Sequence, residues 1–253
     1  IFLMALDLPL PKQILAHNWM MMKDGKMSKS KGNVVYPELL IDRYGLDATR
    51  YYLLGEVTLS ADGVFTPEGF VEKYNVNLCN DLGNLLNRTI AMCNKYFQGN
   101  VPKYNGQKNE VDAEIEEFAS ETISKFEKLI ENLEVANSLQ EIWSLVSRTN
   151  KYVDETAPWV LAKEEDNEKL EACIYHLIEN LRKIAILLTP FMPETSENIL
   201  KQLGIEANEL KTWESLFKYD QIKDTKVIKK GEPLFMRLNA DEEIEYIKEG
   251  MKK

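Results

Sequence analysis

Leu170-Glu171-Ala172-Cys173-Ile174-Tyr175-His176-Leu177-Ile178-Glu179-Asn180-Leu181-Arg182-Lys183-Ile184-Ala185-Ile186-Leu187-Leu188 is the most apolar of the helical stretches in the chain. Cys173, Ile174, Leu177, Ile178, Leu181, Ile184, Ala185 and Leu188 recur at helical spacing, and a helix can bury such a stripe. Pro190 ends it, because proline lacks an N–H and pushes the residue before it out of helical angles. The flanks repeat the pattern. Downstream, Pro193–Leu203 reads as a last helix closed by Gly204. Upstream, Asn137–Val153 carries Leu139, Ile142, Val146, Thr149 and Val153, and Pro158 breaks it. Ala113–Leu133 carries Ile115, Phe118, Thr122, Phe126, Leu129 and Leu133. Thr66-Pro67-Glu68 is a helix start, with a capping hydroxyl and proline in the first turn. From it Val71, Tyr74, Leu78, Leu82, Leu85, Thr89, Cys93 and Tyr96 mark one long amphipathic helix ending near Gly99. Five helices with short connections predict a mainly α protein, an antiparallel helical bundle over residues 66–204.

The ends of the chain read differently. Residues 1–22 look like the tail of something larger: an apolar run at Ile1–Leu6, then P-L-P, then Ile14–Met22 as a short buried strand. The start at Ile1, inside an apolar run, suggests a longer parent. Val34-Val35-Tyr36 reads as a second extended piece. Glu38–Tyr44 is a helix stopped by Gly45, and Asp47 is expected to cap another over Ala48–Leu54. Residues 23–65 thus form a small mixed α/β segment. Residues 205–253 form a C-terminal extension. Trp213 and Phe217 are expected to fold back onto the bundle, and Glu242–Lys253 reads as a mobile charged helix leading into a linker.

The totals narrow the function. In 253 residues, 44% are hydrophobic and 28% charged, a soluble globular balance. No apolar run approaches the roughly 18–20 residues of a membrane span, and no signal peptide is visible. The net charge of −10 argues against broad, sequence-blind attachment to phosphates. Nucleic acid would be met by discrete basic or aromatic spots. Cys79, Cys93 and Cys173 form no C-x-x-C pair, so no zinc site is expected within the chain, and the pattern suits a reducing cytoplasm. His17 and His176 are too few for a metal cluster, and His176 reads as a core or boundary residue.

Against this acidic background Gly25–Asn33, G-K-M-S-K-S-K-G-N, stands out. Lys23, Lys26, Lys29 and Lys31 crowd together with Asp24 as the only acid. Lysines supply mobile point charges, serines supply donors, and flanking glycines permit unusual angles. Such a loop can close over a polyanion and reopen. The bland alternative is a solvated basic turn.

Read in order, Lys26-Met27-Ser28-Lys29-Ser30 resembles the signature loop of class I aminoacyl-tRNA synthetases. With Asp42-Arg43-Tyr44-Gly45-Leu46-Asp47-Ala48-Thr49-Arg50-Tyr51 downstream, the chain is similar to the methionyl branch, from Leu10 to about Phe235. The resemblance implies that residues 1–22 end a Rossmann-type catalytic domain and that 23–65 hold the loop and a stem-contact segment. It implies ATP, with Mg2+, bound at Lys26, Met27, Ser28, Lys29 and Ser30. Lys29 is then the main catalytic contributor and Lys26 its support, stabilising charge on the pyrophosphate leaving group. The H-I-G-H-type element, the methionine pocket and the zinc insert would lie upstream of Ile1, so the chain alone is not expected to form the adenylate.

The resemblance also names a second site. Asn84 and Arg88, in Asn84-Leu85-Leu86-Asn87-Arg88, lie to one side of the apolar stripe, with Asn77 and Lys95 on the same line. By themselves they make an ordinary solvated face. Trp159, in Ala157-Pro158-Trp159, would ordinarily cap a core from a turn. In the methionyl family an N-x-x-x-R pair and a tryptophan after A-P recognise the CAU anticodon of initiator and elongator methionine tRNAs. An exposed indole can stack on a loop base while an arginine and an amide bond its edge. Two other readings stay open: a non-catalytic RNA-binding module with a vestigial loop, and a helical scaffold without RNA. Leucyl or isoleucyl specificity is a near neighbour that the N-x-x-x-R and A-P-W pair disfavours.

Overall fold

The computed structural model describes residues 1–252. Ile1 to His17 are exposed, including the short helix α1 (Phe2–Ala5). Strand β1 (Met20–Met22) then pairs in parallel with β2 (Gly63–Phe65), Met21 opposite Val64. Parallel strands need a crossover, and helices α2 (Pro37–Tyr44) and α3 (Leu46–Glu56) supply it. Val34-Val35-Tyr36 is not a strand but the lead into α2. Asp47 does not cap α3, which starts from Gly45 in a left-handed turn at φ 87°. Its carboxylate instead accepts the Thr195 N–H at 2.6 Å, near the start of helix α10 (Pro193–Gln202). A capping oxygen serves any helix end within reach, and sequence spacing does not say which.

The bundle opens with α4 (Pro67–Lys73), whose Thr66 Oγ1 accepts the Gly69 N–H at 2.9 Å. The expected single α-helix is continuous, but Tyr74–Gly83 is wound as a π-helix before α5 (Asn84–Phe97) resumes. In the π form bonds run i to i+5. The wider turn keeps the every-fourth set Tyr74, Leu78 and Leu82 buried. Helices α6 (Glu110–Glu131) and α7 (Val135–Thr156) follow. Ala157 then adopts φ 43°, and Pro158 starts the short helix α8 (Pro158–Lys163). Trp159 therefore sits in a first helical turn rather than in an open loop.

Helix α9 (Asn167–Leu188) is the axis of the molecule. The sequence predicts one buried stripe, yet every residue from Ala172 to Leu188 is buried. The reason is coverage from all sides, by α6, α7, α10 and the C-terminal segment. Several of its buried polar residues are paired, although the Asn180 amide and the Tyr175 hydroxyl find no partner among the described residues. Glu179 takes two bonds from Arg182, at 2.6 and 3.0 Å. Arg182 also donates to Leu210 O, Ser215 Oγ and Ser215 O. His176 is a core residue as expected, its Nδ1 2.7 Å from Ala172 O and its Nε2 2.7 Å from Glu116 Oε1.

Beyond α10 the chain runs back over the bundle, held by side-chain amides. Asn94 donates to Ile228 O, Gln202 bonds both the N–H and the carbonyl of Glu232, and Asn75 does the same at Leu238. Trp213 packs on Phe126 at 5.9 Å, whereas Phe217 stays half exposed. The final helix, α11 (Ala240–Met251), is not loose: it packs against α2 and α4. Among the described residues no helix is long and apolar enough to cross a membrane.

Candidate functional site

The lysine loop is suspended between β1 and α2. Met22 and Gly25 exchange backbone hydrogen bonds at 2.8 and 3.0 Å, and Gly25 holds φ 109°. Lys29–Lys31 form one 3-10 turn closed by Gly32 at φ 64°. Asn33 is buried and braces the turn from within. Its Oδ1 accepts the Ser28 N–H at 2.8 Å, and its Nδ2 donates to both oxygens of Asp24, at 2.9 and 3.0 Å. The Ser28 and Ser30 hydroxyls pair at 2.9 Å. Lys26, Lys29 and Ser30 are exposed, while Met27 and Ser28 are half-buried. Lys26 Nζ lies 4.9 Å above the Trp19 ring. The loop thus presents ammonium and hydroxyl groups outward on a braced turn, a fit to a polyphosphate chain. Among the described residues no cluster of three His, Cys, Asp or Glu side chains is placed to hold a metal ion.

The second group of residues lies on two helices, α5 and α8. Asn84 and Arg88 are exposed on α5. Arg88 Nη2 donates to Asp154 Oδ1 on α7 at 3.3 Å. Asp154 lies three residues before the Ala157 break, so this contact ties Arg88 to the end of α7 that leads into α8, which carries Trp159. Trp159 is 49% exposed, unusual for an indole and suited to stacking. Asn77 does not join this face. It is half-buried and lines a cavity of about 300 Å³ with Tyr51 and Trp143. The π winding shifts it off the line that an α-helical count gives. The lysine loop and the Asn84–Arg88–Trp159 face are separate sites, with α2, α3 and α4 between them in the chain.

Sequence reasoning passed over the residues that hold these groups in place. Asn33 lies inside the quoted motif, but its brace on Asp24 and Ser28 needs the turn to be seen. Asn150 donates to Asp81 O in the π segment at 3.0 Å and to Val146 O on its own helix. Burial raises the pKa of Asp81, which lies one turn before Asn84.

Residues 1–90 match the family described as tRNA synthetases class I (M), and residues 101–251 match the family described as the anticodon binding domain of methionyl tRNA ligase. A methionine–tRNA ligase of Bacillus subtilis is 60% identical over 98% of the chain, and one of Listeria innocua is 55% identical over all of it. The chain spans 37% and 38% of the length of these two relatives. Among solved structures, methionyl-tRNA synthetase of Mycobacterium tuberculosis bound by methionyl-adenylate superposes with a TM-score of 0.82 at 32% identity. That match covers 93% of this chain and 46% of the other. The free form of the M. tuberculosis enzyme gives 0.80 at 29% identity.

Proposed function

The chain belongs to the methionyl-tRNA synthetase family, and we propose that it carries two sites of a methionine–tRNA ligase acting in the cytoplasm. One is the ATP loop at Lys26–Ser30. The other reads the CAU anticodon of methionine tRNAs through Asn84, Arg88 and Trp159. The division follows the same lines: 1–22 from the catalytic domain, 23–65 for the loop and stem contact, 66–204 for anticodon binding, and 205–253 as an extension. Adenylate formation then requires groups that this segment does not carry.

In the activation step a methionine carboxylate oxygen attacks the α-phosphorus of ATP. The bond from that phosphorus to the bridging oxygen breaks, and pyrophosphate leaves with the electron pair. Lys29 stabilises the charge gathering on the leaving group, and Lys26 and the serine hydroxyls support it. Magnesium accompanying ATP is assigned no ligand from this chain. At the other site Trp159 stacks on an unstacked anticodon base while Asn84 and Arg88 bond base edges. The observation that supports this reading is the Arg88–Asp154 contact, which ties an exposed arginine to the end of α7 that leads into α8 and its exposed indole.

The test is Lys29→Ala in the whole enzyme. The rate of adenylate formation is expected to fall about 100- to 1,000-fold, the usual loss for one preorganised donor. ATP affinity changes far less. Pre-steady-state adenylate formation at the wild-type rate would remove the catalytic assignment and favour an RNA-binding module with a vestigial loop.

A further inference from the structure

The last helix closes on the segment that follows the ATP loop. Glu243 of α11 is 8% exposed. Arg43 of α2 donates to it twice, Nε to Oε2 at 2.6 Å and Nη2 to Oε1 at 2.9 Å. The Tyr44 hydroxyl adds a third bond to Oε2 at 2.7 Å. Tyr246, one turn along α11, covers the Arg43 guanidinium at 4.1 Å from its ring centroid. Ile247 is fully buried. Lys248 Nζ reaches Glu68 Oε1, in the first turn of α4, at 2.6 Å. A Cβ on Gly250 would strike the Leu39 side chain of α2, so glycine there permits close packing.

These contacts join two places that matter to the proposed reaction. Helix α2 is the downstream seat of the lysine loop: five residues separate Lys31 from Pro37. Helix α4 is the base of the continuous helix that carries Asn84 and Arg88. One short helix therefore touches both the seat of the loop and the root of the anticodon-reading helix. A two-pronged arginine–carboxylate fork fixes orientation as well as distance, and the Tyr44 bond adds a third constraint. We propose that α11, through Glu243, is a positioning strut that holds the seat of the ATP loop in register with the anticodon-reading helix. The inference rests on reading Lys26–Ser30 as an ATP loop. Glu243 touches no reacting atom and acts through Arg43 and Tyr44. These two groups also hold its carboxyl below the usual glutamate range, so the fork stays charged at neutral pH.

The experiment uses the whole enzyme with Glu243→Gln, which keeps the volume and removes the charge. Amide hydrogen exchange over residues 26–44 is expected to speed up. The kcat of methionine-dependent ATP–pyrophosphate exchange should fall about tenfold, within the range set by small misplacements of reacting groups. The KM for methionine and the affinity for a CAU anticodon stem-loop should not change. The charge-swapped pair, Arg43→Glu with Glu243→Arg, is expected to recover part of the kcat that each single change loses. Unchanged exchange and unchanged kcat in Glu243→Gln would overturn the proposal. So would a natively folded swapped pair with no recovery. A wild-type enzyme without methionine-dependent exchange would instead overturn the reading of the loop, and hydrogen exchange would still decide the strut.

Discussion

Asn33 shows how one amide can set the shape of a charged loop. It sits at the far end of the lysine run, yet its oxygen fixes the Ser28 N–H and its nitrogen holds both oxygens of Asp24. Asp24 is the one acid in the run. Held by Asn33, it is kept from folding over the lysine side chains, and the loop faces outward with its cations exposed. Asn33→Ala removes these bonds, with a longer one to Lys26 O at 3.5 Å, and leaves Asp24 and the Ser28 N–H without their partner. The loss stays local, because the loop packs on little of the core. Proteolysis within residues 26–31 should accelerate, and the rate of methionine activation should fall about tenfold, with the melting temperature nearly unchanged. A wild-type activation rate in Asn33→Ala would show that the brace does not matter to the closed loop. Gly25 and Gly32 were legible as hinge glycines, and both take left-handed angles. The role of Asn33 was not, since an amide in a motif string gives no sign of what it bonds.

At the scale of elements, α9 and α11 were each half legible. The apolar period of α9 identified a central helix, but nothing in it foretold that Glu179, Arg182 and Lys183 would be buried as well. Glu179 pairs with Arg182 within the helix, and the other partners, Leu210, Ser215 and Tyr219, lie far along the chain. Lys183 Nζ lies 3.6 Å from the Tyr219 ring centroid and 4.0 Å from Glu179, and burial lowers its pKa to about 8. Linkage fixes the sign of the consequence. Between about pH 8 and the ordinary lysine value the unfolded chain binds a proton that the folded chain does not, so stability rises with pH there. The rise is at most about 1.4 kcal/mol per pH unit; toward pH 9 it is opposed by the thiols of Cys93 and Cys173, which burial pushes up to about 12, and near pH 10 by tyrosines that burial also raises. Denaturant melts between pH 7.5 and 8.5, below most of the thiol titration, should show this rise in the wild type and lose it in Lys183→Met. A slope that persists in Lys183→Met would assign it to another group. For α11 the surface composition suggested a loose helix, because the partner of Glu243 lies 200 residues away. The π segment escaped notice for a different reason: apolar residues spaced by four fit both windings.

In the whole molecule, helical content and the bundle were readable because long periodic segments dominate the chain and short connections force neighbours to pack. The two-stranded sheet was only partly readable. Met20–Met22 stood out as an apolar run, but its partner, Gly63–Phe65, carries a single strand-like pair, Val64-Phe65, too short to mark a strand by itself. The pairing of Arg88 with Asp154 depends on how α5 and α7 cross, which no local pattern specifies. The chain carries two exposed chemical surfaces on one core, a lysine loop at one site and an exposed arginine and indole on α5 and α8 at the other. The second surface is proposed to read an anticodon. The most direct measurement is the dissociation constant of the enzyme for an anticodon stem-loop bearing CAU and for the same hairpin bearing UAC. A preference for CAU of about tenfold or more is expected, collapsing in Trp159→Ala and in Arg88→Ala. Equal affinities for the two hairpins in the wild type, unchanged in both variants, would contradict it.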